Sequence, residues 1–446
     1  MLQRNVEKSI EKYLLSNKNK ALLVDGARQV GKTYIIRELL KKHNLDYVEI
    51  NFIENKKAKE VFANFENVED IINRITAITN HKLIKNKTII FFDEVQEVKE
   101  IVTSIKFLVE KGSFKYILSG SMLGVELNDI KSQPVGFMDE IKMYPLDFSE
   151  FITALGVQDE TIKYLNECFL NNKQIDEVIN EKMLKYFNLY NVVGGMPEAV
   201  NIYKETFDLN EVLNVQRNII LRYREDIVKY VDKEKLYIKT IYDNIPSELN
   251  KENKRFKYTN VGKNFRFTRE ENNFLWLVDA GVANACYVVD ELIIPLRLSK
   301  STNLFKLYLS DAGLLTAMYD KSVQMKIINN DNDINYGSIY ENVVAQILKS
   351  HGYDLYYYNN KKRGELDFVI ENNDKVYIIE IKSGKTYNRH NALSNVVNEN
   401  LNGITEGNVF ANCNYKKIKN INYYPIYMID FIRKEDLNDK NIYKVE

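Results

Sequence analysis

Gly26-Ala27-Arg28-Gln29-Val30-Gly31-Lys32-Thr33 satisfies the spacing G-x-x-x-x-G-K-[ST] in full, between the apolar run Ala21 to Val24 and an apolar segment of helical period after Lys32. Strand, glycine-rich turn and helix is the context this pattern requires. The glycines let the backbone turn tightly with its N–H groups aimed at phosphate oxygens, and the helix N-terminus adds partial positive charge. Gly26, Ala27, Arg28, Gln29, Val30 and Gly31 are thus the expected phosphate cradle. Lys32 is expected to reach the β- and γ-phosphates of ATP, and Thr33 to ligate Mg2+.

Further along, Thr88-Ile89-Ile90-Phe91-Phe92-Asp93-Glu94 is an apolar strand ending in two carboxylates. Phosphoryl transfer mainly needs positioning and charge stabilisation, which assigns Asp93 to the magnesium shell and Glu94 to the attacking water. The apolar run Phe114 to Leu118 ends in Ser119-Gly120-Ser121, where the Ser119 hydroxyl would sense the γ-phosphate; a plain turn explains those residues almost as well. With another strand at Tyr47 to Asn51, strands alternating with helices up to about residue 150 predict a largely parallel α/β sheet.

The composition suits this picture. The chain has 446 residues, about three domains' worth, with 62 Lys+Arg against 62 Asp+Glu. Zero net charge excludes a uniformly basic protein, so any DNA contact must come from a local patch. Cys168, Cys286 and Cys413 are too few and too scattered for a disulfide framework, and no apolar run is long enough to span a bilayer. A cytoplasmic protein without a membrane partner is expected. The domain reading is an N-terminal helix (1–17), a P-loop ATPase domain (18–155), a helical lid or connector (156–240), a winged-helix module (241–318) and a C-terminal α/β domain (319–446). The third segment carries the punctuation Gly194, Gly195 and Pro197. The winged-helix expectation rests on short helices, a helix over Asn272 to Ala280, and strands near Ala283 to Val289 and Glu291 to Leu296.

The chain resembles a family of bacterial and archaeal AAA-like ATPases with a C-terminal domain of unknown function. The resemblance is carried by the phosphate loop, Phe92 to Gln96, Leu118 to Ser121, Tyr144 to Phe151, Gly194 to Glu198, Tyr223 to Tyr230 and Phe305 to Leu314. It implies ATP hydrolysis, a winged helix near residues 241–318, and compatibility with a homo-oligomer. One departure stands out: Phe137 follows Pro134-Val135-Gly136, where a basic residue is expected. Arg217, Arg222 and Arg224 are then the candidates for an arginine finger, although helix arginines are usually solvated.

Lys251, Lys254, Arg255, Lys257, Lys263, Arg266 and Arg269 alternate with Phe256, Tyr258, Phe265 and Phe267. Cations interleaved with aromatics suit DNA phosphates and stacking, while a solvated loop or a protein-binding module is the plainer reading. Beyond it, Gly364 to Ile370 and Val376 to Lys382 read as a hairpin about Asn373-Asp374, pairing Asp367 with Glu380 and Glu365 with Lys382. Like charges opposite one another call for a neutralising ion. This D…E-x-K pattern resembles the PD-(D/E)xK nuclease core, which implies Asp367, Glu380 and Glu341 as ligands for Mg2+ or Mn2+ and Lys382 as the water-activating cation. Ser338-x-x-Glu341 is equally a capping box. The leading expectation is an ATPase coupled to DNA binding and metal-dependent DNA cleavage. Its rival is a nucleotide-switched regulator whose nuclease-like domain only binds. A GTPase is disfavoured because no N-K-x-D motif is present.

Overall fold

The computed structural model describes residues 2–98, 100–121, 136–230, 235–251, 254–256, 274–331, 336–384 and 386–434. Its contacts divide the chain into two units, Met1–Leu146 with Asn272–Val282, and Asp147–Glu271 with Ala283–Glu446.

In the first unit β1 (Ala21–Asp25), β2 (Tyr47–Asn51), β3 (Ile89–Asp93), β4 (Lys115–Gly120) and β5 (Met138–Lys142) form a parallel sheet in the order β2-β3-β4-β1-β5. Every residue of β1 and β3 is buried, as parallel strands covered on both faces require. Helices α1 (Glu7–Leu15), α2 (Lys32–Lys42), α3 (Val68–Thr79) and α4 (Glu100–Lys111) accompany the sheet. Phe137 does not stand in for a charge. Its ring packs on the apolar core with the Lys106 ammonium 5.5 Å from its centroid, and its carbonyl accepts from Ala21 N at 2.9 Å.

The second unit opens with helices α5 (Phe148–Ala154), α6 (Asp159–Leu170), α7 (Glu177–Val193), α8 (Pro197–Thr206), α9 (Leu209–Tyr230) and α10 (Lys235–Leu249). Its sheet has eight strands: β6 (Ala283–Val289), β7 (Lys300–Leu309), β8 (Tyr356–Asn360), β9 (Gly364–Asn372), β10 (Lys375–Lys382), β11 (Gly407–Ala411), β12 (Lys416–Ile418) and β13 (Ile421–Pro425). They run in the order β12-β13-β11-β10-β9-β8-β6-β7, with parallel and antiparallel pairs mixed. Helices α11 (Ala312–Ala317), α12 (Lys321–Ile328), α13 (Tyr336–Ser350) and α14 (Asn391–Asn398) complete it.

The ribbon expected as a wing is placed differently. Its second strand is Lys300–Leu309, not 291–296, and β6 pairs in parallel with β8 through Tyr287↔Tyr356. The long apolar run Leu304 to Leu309 outcompetes the short one before Pro295, and the tyrosine-rich β8 supplies the neighbour. The helical residues 274–279 belong with the first unit, so the stretch read as one module is split.

Two motifs of the second unit explain each other. Gly194, at φ +74°, leaves no room for a Cβ, which would lie 2.2 Å from Asp311 Oδ1. Asp311 accepts from Gly195 N at 2.6 Å and caps α11 through Leu314 N at 2.9 Å. At the far end of the chain Asp147, His351 and Asp430 converge, with His351 Nε2 at 3.4 Å from Asp147 Oδ2 and 3.6 Å from Asp430 Oδ1. Arg433 donates to the same Asp147 oxygen at 3.0 Å, so this cluster reads as an internal ion-pair staple. Among the described residues no helix is long and apolar enough to cross a membrane.

Candidate functional site

The loop after β1 carries its sharpest backbone demands at the two motif glycines. A Cβ on Gly26 would lie 2.2 Å from the Met143 carbonyl oxygen, and Gly31, at φ +95°, is the left-handed residue from which α2 starts. Within this loop Lys32 folds back, Nζ donating to Gly26 O at 2.8 Å and Ala27 O at 2.7 Å. Burial pushes its ammonium down to about 8, against the opposing pull of Glu94, Asp25 and Asp93. Asp93 stands at the end of β3 as the hub of a hydroxyl and amide set. Thr33 Oγ1 donates to its Oδ1 at 2.9 Å, Asn51 Nδ2 to its Oδ2 at 2.9 Å, and Ser119 Oγ to its Oδ1. Burial raises the Asp93 carboxyl, partly offset by the Ser119 and Thr33 bonds. Lys32, Thr33, Asp93 and Ser119 therefore meet at the C-terminal ends of adjacent strands, with Glu94 one residue beyond. Thr33, Ser119 and Asp93 itself offer hard oxygens, which suits Mg2+.

In the second unit the predicted hairpin is present. Asn373 and Asp374 both have positive φ, the requirement of a type I′ turn, and the ladder runs from Lys375↔Asn372 to Ile379↔Phe368. The ladder stops one pair short of Asp367 and Glu380, and the second expected pair gives way to other partners: Glu365 meets Lys306 at 2.8 Å and Lys382 meets Glu380. Beyond the ladder Asp367 Oδ2 accepts from Ile381 N at 2.8 Å, and Lys382 Nζ donates to Glu380 Oε1 at 2.7 Å. Glu341 lies on the buried face of α13, beyond the first turn, so it is not the partner of a Ser338 cap. It accepts from Lys254 Nζ and from Tyr308 Oη at 3.0 Å, and Lys306 Nζ lies 3.8 Å away. Lys306, 1% exposed, pairs with Glu365 at 2.8 Å, and Arg255 lies 3.6 Å from Glu365.

Four carboxylates (Glu341, Glu365, Asp367, Glu380) thus face four cations (Lys254, Arg255, Lys306, Lys382). Burial opposes ionisation of Glu341, but Lys254 and Lys306 outweigh it and hold its carboxyl below the ordinary range. Burial, then the Asp367 charge, pushes Glu380 up to about 8. Among the described residues the set whose ligand atoms approach within 4.8 Å of one another is Asp147, His351 and Asp430; Glu341, Asp367 and Glu380 form no such set. Lys254, Arg255, Lys306 and Lys382 pair with these carboxylates, whose oxygens as placed do not gather closely enough to hold one divalent ion.

The expected basic patch divides in the same way. Lys254 and Arg255 turn to the carboxylates, and Phe256 stacks on Phe305 with ring centroids 6.0 Å apart. Lys257, Lys263, Arg266 and Arg269 lie outside the described residues. Of the arginine-finger candidates, Arg222 pairs with Glu225 at 3.2 Å and Arg224 with Asp243 at 2.7 Å, the ordinary fate of helix arginines. Arg217 lines an exposed cleft with Arg224.

A sequence profile described as an AAA domain matches residues 18–152, the segment that holds the phosphate loop and the Asp93 hub. The N-terminal part is an AAA-like P-loop ATPase domain. Two profiles described as domains of unknown function, DUF8612 and DUF4143, match residues 184–325 and 336–428. Two uncharacterized proteins of Methanocaldococcus jannaschii are similar along most of the chain. MJ1544 is 26% identical over 84% of this chain and 76% of its own length, and MJ1637 is 23% identical over 85% and 79%. The solved Walker-type ATPase PABY2304 of Pyrococcus abyssi aligns with 71% of this chain and 96% of its own, at 16% identity and a TM-score of 0.42.

Two features of the ATPase domain escaped the sequence reading. Arg4, buried ahead of α1, donates from Nη1 to Val30 O at 3.1 Å and from Nη2 to Tyr144 O at 2.6 Å, bracing the phosphate loop from behind. Gly281, at φ +71°, lies against the same loop, where an added Cβ would be 3.2 Å from Ala27 N. Neither carries a local signal. An arginine in an amphipathic segment and a glycine after a helix are both ordinary in sequence.

Proposed function

We propose that the protein binds and hydrolyses ATP at the Gly26–Thr33 loop and couples this to DNA binding. The observation that carries the proposal is the convergence of Lys32, Thr33, Ser119 and Asp93 where β1, β3 and β4 end. In this reading the loop N–H groups and Lys32 hold the β- and γ-phosphates. The Lys32 ammonium exchanges two carbonyl oxygens for phosphate oxygens, so its charge is stabilised by the ligand rather than by the loop. Thr33 and Asp93 would hold Mg2+, which supplies charge neutralisation on the phosphates. Glu94 orients the water, and Ser119 reports the γ-phosphate to β4.

Coupling to DNA is supported by position. The basic stretch runs directly into residues 274–282, which pack with the ATPase domain and bring Gly281 against Ala27. A change in the loop on nucleotide binding is therefore felt by the segment that follows the basic stretch. For the C-terminal unit, the matched set of four carboxylates and four cations favours a nuclease-like domain that binds without cleaving over a metal-dependent nuclease. The test combines ATP turnover with binding of labelled duplex DNA across a salt series. Wild type is expected to turn over ATP and Glu94→Gln to bind but not turn over. Replacing Lys257, Lys263, Arg266 and Arg269 together by Ala should lower DNA affinity and flatten its salt dependence. Unchanged affinity and slope would remove DNA from the proposal, and Mg2+-dependent cleavage lost in Glu380→Gln would restore the nuclease.

A further inference from the structure

The geometry points to Gln96 as the residue that positions Glu94, an assignment that rests on Glu94 being the group that orients the attacking water. Glu94 sits at φ +58°, a left-handed conformation that is uncommon for a residue with a side chain. Immediately after it the chain makes a single 3₁₀ turn, Val95–Glu97, and this turn swings the Gln96 side chain back toward Glu94. Gln96 is buried, and its amide is used at both ends. Nε2 donates to Glu94 Oε2 and approaches Ser121 Oγ at 3.4 Å, while Oε1 accepts from Ser121 N at 3.3 Å.

The chemistry of the two ends dictates an amide. A carboxylate only accepts and a backbone N–H only donates, so the bridge needs one donor and one acceptor on the same side chain. Turning the amide over would set an oxygen against the carboxylate and an N–H against an N–H. Gln96 therefore has one orientation, with Glu94 Oε2 held and Glu94 Oε1 not engaged by the amide. The other anchor matters as much. Ser121 follows β4, whose Ser119 donates to Asp93, while the described pairing of β3 with β4 ends at Phe92↔Leu118. Past that point, among the described residues, Ser119 Oγ ties β4 to Asp93, and the Gln96 side chain ties the Ser121 N–H to Glu94. Gln96 thus fixes where the Glu94 carboxylate points relative to the strand that carries Ser119.

The test uses the full chain and two variants. Gln96→Met keeps the volume and removes both polar bonds. Its kcat should fall about 10- to 100-fold, the scale that a misplacement of about 1 Å costs, while its affinity for a fluorescent ATP analogue stays within about twofold of wild type. Gln96→Glu keeps the acceptor for Ser121 N and loses the donor at neutral pH. As pH is lowered into the range where the introduced carboxyl protonates, it regains a donor, so the ratio of its kcat to wild type should climb while that of Gln96→Met stays flat. A purely packing role moves neither that ratio nor kcat apart from affinity. The proposal is overturned by wild-type kcat in Gln96→Met, by an equal loss of nucleotide affinity in that variant, or by Gln96→Glu tracking Gln96→Met at every pH. Equal turnover by wild type and Glu94→Gln would instead overturn the role of Glu94 itself, separately from these outcomes.

Discussion

The phosphate loop and the C-terminal hairpin both gather charged side chains where strands end, and they treat cations in opposite ways. In the loop the buried Lys32 donates to two carbonyl oxygens, so an arriving anion finds an ammonium bonded only to neutral groups. In the hairpin unit Lys254, Arg255, Lys306 and Lys382 each meet a carboxylate of the chain itself. A motif of charged residues becomes a ligand site when the fold leaves its charge for the ligand. When the fold completes the charge internally, the same residue types hold the protein together.

The largest expected effect tests the loop side of this contrast. Lys32→Ala should lower ATP affinity about 100-fold or more, because a buried charge-assisted contact to phosphate is removed. The pH dependence has a definite sign. Free Lys32 titrates at about 8 and the bound phosphates favour its charged form. Affinity should stay level below pH 8 and fall by up to about tenfold per unit above it, as binding must then take up a proton. Titration of a fluorescent ATP analogue between pH 6.5 and 9.5 checks both; a flat profile would mean that Lys32 is charged throughout.

On the other side, Glu341→Gln should destabilise the protein by about 3–5 kcal/mol, since it takes the carboxylate from Lys254 and leaves the fully buried Lys306 with Glu365 alone. Urea unfolding of the full chain is the measurement. A fragment starting near residue 325 is unsuitable, because it would lose Lys254, Arg255, Lys306 and the strands β6 and β7 that extend the sheet. A change below about 1 kcal/mol would show that the cations are solvated and the carboxylates open to a metal after all.

This second unit also shows where the sequence stops being readable. The turn residues Asn373-Asp374 and the alternation on either side determine the hairpin register locally, and the ladder agrees with it. Glu380 meets Lys382 two residues on, but the other cations that face Asp367, Lys306 and Lys254, lie 61 and 113 positions away in sequence, and no local rule reaches them. Lys306 did leave a trace, as the one charge within Leu304-Phe305-Lys306-Leu307-Tyr308-Leu309: a lysine in an apolar strand needs a buried partner. The phosphate loop is the reverse case. Its contacts are mostly within the motif or at the ends of adjacent strands, so motif and context suffice, and only the distant braces Arg4 and Gly281 were invisible.

A smaller effect comes from Glu380. Its carboxyl is raised to about 8 in the folded protein, mainly by burial and then by Asp367, against an unperturbed 4.5. For an acid raised on folding, the native state holds the extra proton between those values. Stability is therefore intact below about pH 4.5, declines as pH rises through the window, and bears the full cost above about 8. Glu380→Gln carries no such cost, and the Lys382 it leaves is partly exposed and able to hydrate. The variant should melt a few degrees above wild type at pH 8, with the gap closing toward pH 5. Equal gaps at both values would mean that Lys382 compensates Glu380 fully.

The smallest effect returns to the loop and asks whether its freedom from internal pairing depends on a brace. Arg4 spans Val30 O in the loop and Tyr144 O beyond β5, tying the two segments that flank β1 on the sheet's C-terminal edge. Arg4→Met keeps most of the apolar stem and removes the two guanidinium bonds. The Val30 carbonyl then loses a donor and the loop gains conformations that do not present its N–H groups together. Ordering them on binding costs on the order of 1 kcal/mol for each backbone position affected. ATP affinity should fall about five- to tenfold, with kcat at saturating ATP nearly unchanged because Asp93, Glu94 and Ser119 are not touched. Calorimetric titration should show the loss as a less favourable entropy, since the loop must be ordered by the ligand instead of by Arg4. An equal fall in kcat would show that Arg4 acts on the strand ends as well, and would make the brace part of the same network as Gln96.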